Sequence, residues 1–376
     1  MTHWTRWILG PLLWGIGRAT AAGAQDSTSL RPSDSTASRS PIGTVAFANH
    51  PYGSQAYFSP LTVLLNKGFD HFQAINSPRK LFGQPYGRAF RNGVWDALRH
   101  PGDAVRHAPG WRQWLRTEIL PLTFTSGEAR WFVNYGEHLI AGGLTYRALE
   151  EWYRLRALPA PKVWAAATTL AAAMTNEAME NPMVERAASS TVADLYFFDI
   201  PAVLLFNWDP LVRFFAGTLQ AADWSNMATL TLPNAELRNV GQYYILKIPL
   251  PKTETRAFVR AGMGLQAGIS RPVGGGHAVT VALGADTKVR WVDPVTRTES
   301  ISMVFGGGVY VDRHNSLLAA FTVSPNVHQL SAQIYPGVWP GRWRDVGTWI
   351  ARDYQGRITG GLVHRRALGL GIGLGR

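Results

Sequence analysis

Residues 257–270 read Ala-Phe-Val-Arg-Ala-Gly-Met-Gly-Leu-Gln-Ala-Gly-Ile-Ser. The odd positions, Ala257, Val259, Ala261, Met263, Leu265, Ala267 and Ile269, are all apolar. The even ones, Phe258, Arg260, Gly262, Gly264, Gln266, Gly268 and Ser270, are mostly glycine or polar. A period of two is the signature of a strand with unlike faces. The run is longer than an ordinary globular strand and matches the length of a tilted strand across a bilayer.

The pattern recurs toward the C-terminus. Val279, Val281, Leu283, Ala285, Val289 and Trp291 oppose Thr280, Gly284, Asp286, Lys288 and Arg290. Ile301, Met303, Phe305, Val309 and Val311 oppose Ser302, Gly306, Gly308, Tyr310 and Asp312. Shorter versions occupy 317–323, 330–334 and 358–364, and Leu368 to Gly375 sets four aliphatics opposite four glycines. Turn-rich breaks separate them: 271–276, Asp293-Pro294, 312–315 and 354–356. Pro249 and Pro251 confine the first candidate strand to an edge or a bulge. Residues 227–376 are therefore expected to form an antiparallel β-barrel of about eight to ten strands. Its Arg260, Asp286, Lys288, Arg290 and Asp312 would point inward. A soluble β-sandwich, or a curved sheet packed on helices, is the competing arrangement.

Composition fits a membrane neighbour. The 376 residues carry 37 Lys+Arg against 25 Asp+Glu, for a formal +12, yet only 16% are charged, well under the roughly 25% of soluble domains. Hydrophobic residues at 46% exclude a wholly disordered chain. With no Cys, disulfides, thiolate metal sites and cysteine nucleophiles are excluded. Residues 1–24 read as a signal peptide, with basic Arg6, an apolar run from Trp7 to Gly17 and the small-x-small Ala22-Gly-Ala24. The Ser/Thr/Pro-rich 25–43 reads as a disordered leader. An exported chain without Cys suits a Gram-negative-type envelope, in the outer membrane or alternatively the periplasm.

Residues 44–225 read as a helical domain. Ser59-Pro60 is an N-cap followed by Pro in the first turn. Between 79 and 116, eight Lys or Arg face two acids, Asp96 and Asp103. Phe90, Val94, Trp95 and Leu98 form a helical stripe there. Such a basic amphipathic segment suits an anionic lipid surface, with Arg88, Arg91, Trp95, Arg112 and Trp114 as its contacts. A surface helix burying that stripe on its own domain accounts for it equally. No nucleic-acid motif is present. Three further helices follow, at about 136–156, 161–180 and from the cap Ser189-Ser-Thr191 to 206. The small residues of Ala141-Gly-Gly143 and of 165–173 would let helix axes approach closely.

Asn134 and His138 start the first of these helices, Glu177 ends the second and Asp194 begins the third. An antiparallel trio would bring His138, Glu177 and Asp194 together. They would serve either as an acid/base or metal centre or as a buried polar network holding the helices in register.

The order Asn134-Tyr-Gly-Glu-His138-Leu-Ile-Ala-Gly-Gly143, then Asn176-Glu177, then Ala188-Ser-Ser-Thr-Val-Ala-Asp194 resembles a pattern of VanZ-like proteins and several uncharacterised envelope families across residues 131–206. It departs from them in Phe197-Phe-Asp-Ile-Pro201, where they have a glycine-rich ending. The resemblance implies an architecture and no reaction. The reading that follows is an outer-membrane-associated protein, structural or binding a lipid, lipopolysaccharide or other amphiphile, with no cofactor. Its alternative is an envelope enzyme modifying lipid or lipopolysaccharide through His138, Glu177 and Asp194, although no serine stands in a nucleophile motif.

Overall fold

The computed structural model describes residues 45–74, 80–107, 110–120, 132–180, 185–292, 299–325, 328–365 and 369–375, without the side chains of 132, 288–292 and 299–301. Residues 1–43, where a signal peptide and a leader are expected, and the side chains of Lys288, Val289, Arg290 and Trp291 lie outside the described residues.

Helices fill the first half. They are α1 (Gly53–Tyr57), α2 (Pro60–Gly68), α3 (Tyr86–Ala89, Phe90–Trp95 and Asp96–Arg99 in succession), α4 (Pro101–His107) and α5 (Trp111–Trp114 with Leu115–Ile119). Next come α6 (Phe132–Ala141 running into Gly142–Leu155), α7 (Pro161–Glu180), α8 (Ser189–Ala193, Asp194–Asp199, Ile200–Leu205) and α9 (Asp209–Arg213 with Phe214–Thr218). Phe90–Trp95, Leu115–Ile119, Phe132–Ala141, Asp194–Asp199 and Phe214–Thr218 are π-wound. Ser59 caps α2, its hydroxyl accepting from the Thr62 N–H. The cap expected at 189–191 is not formed: Ala188 precedes the helix without a side-chain cap, and the three hydroxyl residues lie inside it.

Small residues do let helices meet. A Cβ added to Gly143 would stand 2.1 Å from the Phe206 ring, so α6 and α8 approach at a distance only glycine permits. Leu144, Leu149, Ala165, Ala172 and Phe206 fill the core around that crossing. Among the described residues no single helix is long and apolar enough to cross a membrane; the bent pair Ser189–Leu205 and Asp209–Thr218 passes by composition.

The second half is one sheet of 13 strands. They are β1 (Ala222–Asp223), β2 (Thr229–Leu232), β3 (Glu236–Arg238), β4 (Tyr244–Pro249), β5 (Arg256–Ala261), β6 (Gly264–Gly274) and β7 (His277–Val292). Then follow β8 (Glu299–Arg313), β9 (Ser316–Val323), β10 (Leu330–Ile334), β11 (Val346–Arg352), β12 (Ile358–His364) and β13 (Gly371–Gly375). The spatial order is β1-β4-β5-β6-β7-β8-β9-β10-β11-β12-β13-β2-β3. All neighbours are antiparallel except β13 and β2, which run parallel. Among the described residues the ladders end at β1 and β3 and do not form a ring, so the expected closed barrel is corrected to an open, antiparallel-rich sheet of more strands than expected. Pro249 falls at the last position of β4.

The deciding stretch is corrected as well. Residues 257–270 are not one long strand but the hairpin of β5 and β6. Ala261 lies opposite Leu265, and the Gly262 N–H donates to the Gly264 carbonyl. A Cβ on Gly262 would lie 2.4 Å from the Gln242 carbonyl oxygen, which only glycine avoids. The alternation survives the turn because odd residues pair with odd and even with even (257 with 269, 258 with 268). Periodicity is blind to such a turn. Membrane-crossing length is reached instead by β6, β7 and β8, of 11, 16 and 15 residues.

The sheet curls on itself. Lys247 of β4 pairs with Asp312 of β8 at 2.5 Å, across three intervening strands. In a flat sheet those strands would lie roughly 19 Å apart. The Tyr310 hydroxyl donates to Gln266 and the Trp349 indole N–H to Thr229, also on non-adjacent strands. The concave face is packed with Tyr57 of α1 and with Trp224, Phe258, Tyr310, Tyr335 and Trp349. A cavity of about 100 Å³ there is lined by Tyr243, Arg260, Gln266, Asp286 and Gln333, among others.

Candidate functional site

His138, Glu177 and Asp194 come together from three helices, one ligand-type atom of each lying within 4.8 Å of the others. All three are buried. His138 Nε2 stands 3.9 Å from Asp194 Oδ1. Its Nδ1 faces the Asp199 carboxylate at 3.2 and 3.3 Å, and Lys67 of α2 reaches the same carboxylate at 3.4 Å. Buried Glu118 of α5 adds its charge to the surroundings of Asp194.

Local winding builds this arrangement. Asp194 and Asp199 are five residues apart, which on a regular α-helix turns them to different faces. Both lie on the π-wound turns of α8, whose i→i+5 bonding stacks such residues, and one imidazole therefore contacts both. His138 sits on the π-wound start of α6. Gly142, one turn on, leaves space: a Cβ there would meet Lys67 Nζ at 3.4 Å and Asp199 Oδ1 at 3.7 Å.

Burial disfavours a charged His138, but the charges of Asp194 and Asp199 and the hydrogen bond to Asp199 outweigh it, and its pKa is pushed up to about 10. Burial likewise acts to raise Asp199, but the attraction of Lys67 and His138 overrides it and holds this carboxyl below its usual range. Burial raises Asp194 far above the ordinary carboxylate range; His138 opposes this, while Glu177, Glu118 and Asp199 reinforce it. The cluster thus has an ionised pole, Lys67–Asp199–His138, and a proton-holding pole at Asp194. Asp194 Oδ1 has no hydrogen-bond partner among the described residues.

Sequence reasoning named His138, Glu177 and Asp194 and missed Asp199 and Lys67. The signal for Asp199 was present in Phe197-Phe-Asp-Ile-Pro201, a carboxylate placed inside an apolar helix. Lys67 reads as an ordinary helix-end cation, and only its ion pair with Asp199 of α8 shows its role. Asn134 is buried but elsewhere: its amide donates to the Glu118 carbonyl and ties α6 to α5.

The basic segment is split by the fold. Arg88, Arg91 and Arg112 are exposed, as are Phe82, Trp95 and Trp111. Arg91, Arg99, Arg106 and Arg186 line an open groove of about 780 Å³ with Trp95 and three acids, Asp96, Asp103 and Glu185, and Arg106 pairs with Asp103 at 2.9 Å. Trp114 is corrected from surface contact to core. It is 1% exposed, and its indole N–H donates to the Ser189 carbonyl. Of the expected stripe, Val94 is buried while Phe90 and Trp95 face outward.

No family model, no curated protein and no solved structure matches the chain.

Proposed function

We propose that this chain is a membrane-embedded envelope protein, its curled sheet set in lipid and its helical half presenting the exposed Arg88, Arg91 and Arg112 to anionic headgroups. One observation carries the reading: the sheet has its polarity reversed. Lys247, Arg260, Gln266, Ser270, Thr280, Asp312 and Gln333 are buried on the concave face. On the convex face Ile269, Val281, Leu283, Phe305, Val309, Val323, Leu330, Ile350, Ile358, Leu362, Ile372 and Leu374 are exposed. That band spans eight consecutive strands, β6 to β13. Arg271, Arg352 and His364 interrupt it only toward strand ends. Water-exposed proteins rarely leave more than a few hundred Å² of contiguous apolar surface, whereas apolar outside and polar inside is the pattern of a sheet in a bilayer. A band that follows a curved convex face suits acyl chains, which surround it, better than one flat partner. Trp339 and Trp343 between β10 and β11, and Tyr354 between β11 and β12, are exposed at opposite ends of β11, as interfacial rings would be.

Closure belongs to the same proposal. Residues 222–232 and 236–245 run as two arms of one hairpin in a single register, with 223 opposite 244 and 229 opposite 238. Between those ladders the Trp224 N–H donates to the Tyr243 carbonyl and the Asn226 N–H to the Gly241 carbonyl. One arm meets β13 through β2 and the other meets β5 through β4. In lipid this hairpin would join the two ends of the sheet into a barrel.

An enzyme working at His138 has less support, because His138, Glu177 and Asp194 are each 4% exposed and the cavity beside His138 is only about 20 Å³.

The absence of cysteine makes the test clean. Single cysteines replacing Leu283, Phe305 and Ile372 carry an environment-sensitive fluorophore in proteoliposomes. Quenching by doxyl-labelled acyl chains and protection from aqueous iodide are expected at all three, and neither at Glu254→Cys in the exposed turn between β4 and β5. Iodide access at the three outward sites, or a monodisperse protein in buffer without detergent, overturns the proposal.

A further inference from the structure

The helical half presents a second centre that does not depend on where the sheet resides. We infer that His138 Nε2, Asp194 Oδ1 and a Glu177 carboxylate oxygen form a binding site for one divalent transition-metal cation.

Geometry comes first. Ligands about 2.1 Å from a tetrahedral metal lie about 3.4 Å from one another, and trans ligands of an octahedral one about 4.2 Å apart. The 3.9 Å between His138 Nε2 and Asp194 Oδ1, and the 4.8 Å that bounds the trio, need inward movement of only about half an ångström. Three elements supply one donor each, so rotation of side chains suffices.

The outer shell is in place. The Nδ1–H of His138 donates to Asp199, which Lys67 holds in turn. A carboxylate on the far nitrogen of a ligating imidazole fixes the ring and the tautomer, so that Nε2 presents its lone pair to the metal. Here Nε2 is the nitrogen turned toward Asp194.

One donor atom of the cluster is also unsatisfied. Asp194 Oδ1 is left without a hydrogen bond among the described residues, and an unsatisfied buried carboxylate oxygen is costly. A divalent ion satisfies that oxygen. One imidazole with two carboxylates suits zinc, manganese or iron and gives little to magnesium beyond what water offers.

The test uses the full-length, untagged chain in detergent, stripped with a chelator and titrated with Zn²⁺ and, separately, with Mg²⁺ by calorimetry at pH 8. One Zn²⁺ per chain with micromolar or tighter Kd is expected, and at least 100-fold weaker Mg²⁺ binding. Glu177→Gln and Asp194→Asn should each weaken Zn²⁺ at least 100-fold. Asp199→Asn, which alters only the outer shell, should weaken it about 10- to 100-fold. Near-ultraviolet circular dichroism verifies that each variant is folded, and Zn²⁺ should raise the Tm of the unmodified protein but not that of Glu177→Gln. Failure of the folded unmodified protein to take up stoichiometric Zn²⁺, or unchanged Zn²⁺ affinity in folded Glu177→Gln and Asp194→Asn, overturns the inference.

Discussion

Replacing Lys247 by Met tests the curl of the sheet directly. Lys247 and Asp312 are each 1% exposed and meet at 2.5 Å. The only strand neighbours of Lys247 are on β1 and β5, so this contact exists solely because β4 and β8 face one another across the concave side. Removing the ammonium leaves a buried carboxylate that keeps one further bond, from the Asn315 N–H. Breaking a buried pair on one side costs about 3–5 kcal/mol, because the remaining charge loses its hydrogen-bonded partner, and Arg256 offsets only part of that loss for Asp312. Asp312→Asn alone should cost a similar amount, through the stranded ammonium. The double variant removes both charges and should lie within about 1–2 kcal/mol of the unmodified protein, since a buried pair contributes little over neutral groups. The coupling energy of the cycle is then at least about 3 kcal/mol. Guanidinium unfolding of the four proteins in detergent micelles, followed by tryptophan fluorescence, supplies the numbers. Additive single effects, with coupling below about 0.5 kcal/mol, would refute the cross-sheet contact and the curl with it.

Gly143→Ala puts a methyl carbon 2.1 Å from the Phe206 ring and should cost about 1–3 kcal/mol through overpacking. A paired Phe206→Leu should recover part of that loss in the same unfolding assay. In chelator, with folded His138 near 10 against an unfolded 6.5, the native state holds the extra proton. That stabilisation is complete below about pH 6.5 and is lost as pH rises toward 10, by at most about 1.4 kcal/mol per pH unit. The raised Asp194 acts in the same direction. Unfolding midpoints from pH 6 to 10 should fall less steeply in His138→Gln than in the unmodified protein; parallel slopes would remove His138 from the account.

The candidate cluster shows how local codes and packing divide the work. His138, Glu177 and Asp194 were legible because each is a polar residue in an otherwise apolar helix, at an end where antiparallel neighbours meet. Asp199 was hidden by helical arithmetic: a regular helix turns it away from Asp194, and only π-winding returns it. Lys67 was hidden because nothing in its own helix distinguishes a buried cation from a solvated one. Trp114 misled for the opposite reason, since an amphipathic basic segment does not say which of its aromatic rings the neighbouring helix will cover.

By itself the sequence determined which side chains share a face. Side chains alternate along a strand, so the assignment of Val281, Leu283 and Phe305 to one side and Thr280, Tyr310 and Asp312 to the other needed no partner. It also determined the division into a helical half and a strand half, through the change of period from 3.6 to 2. Only the tertiary structure decided that 257–270 folds back as a hairpin, because a turn that pairs odd with odd leaves the alternation intact. It alone chose between the inward polar face expected of a barrel and the inward apolar face of a sandwich, and decided that the ladders stop at β1 and β3. Alternation specifies two unlike faces, and which one turns inward depends on curvature and on contacts such as Lys247–Asp312 between residues distant in the chain.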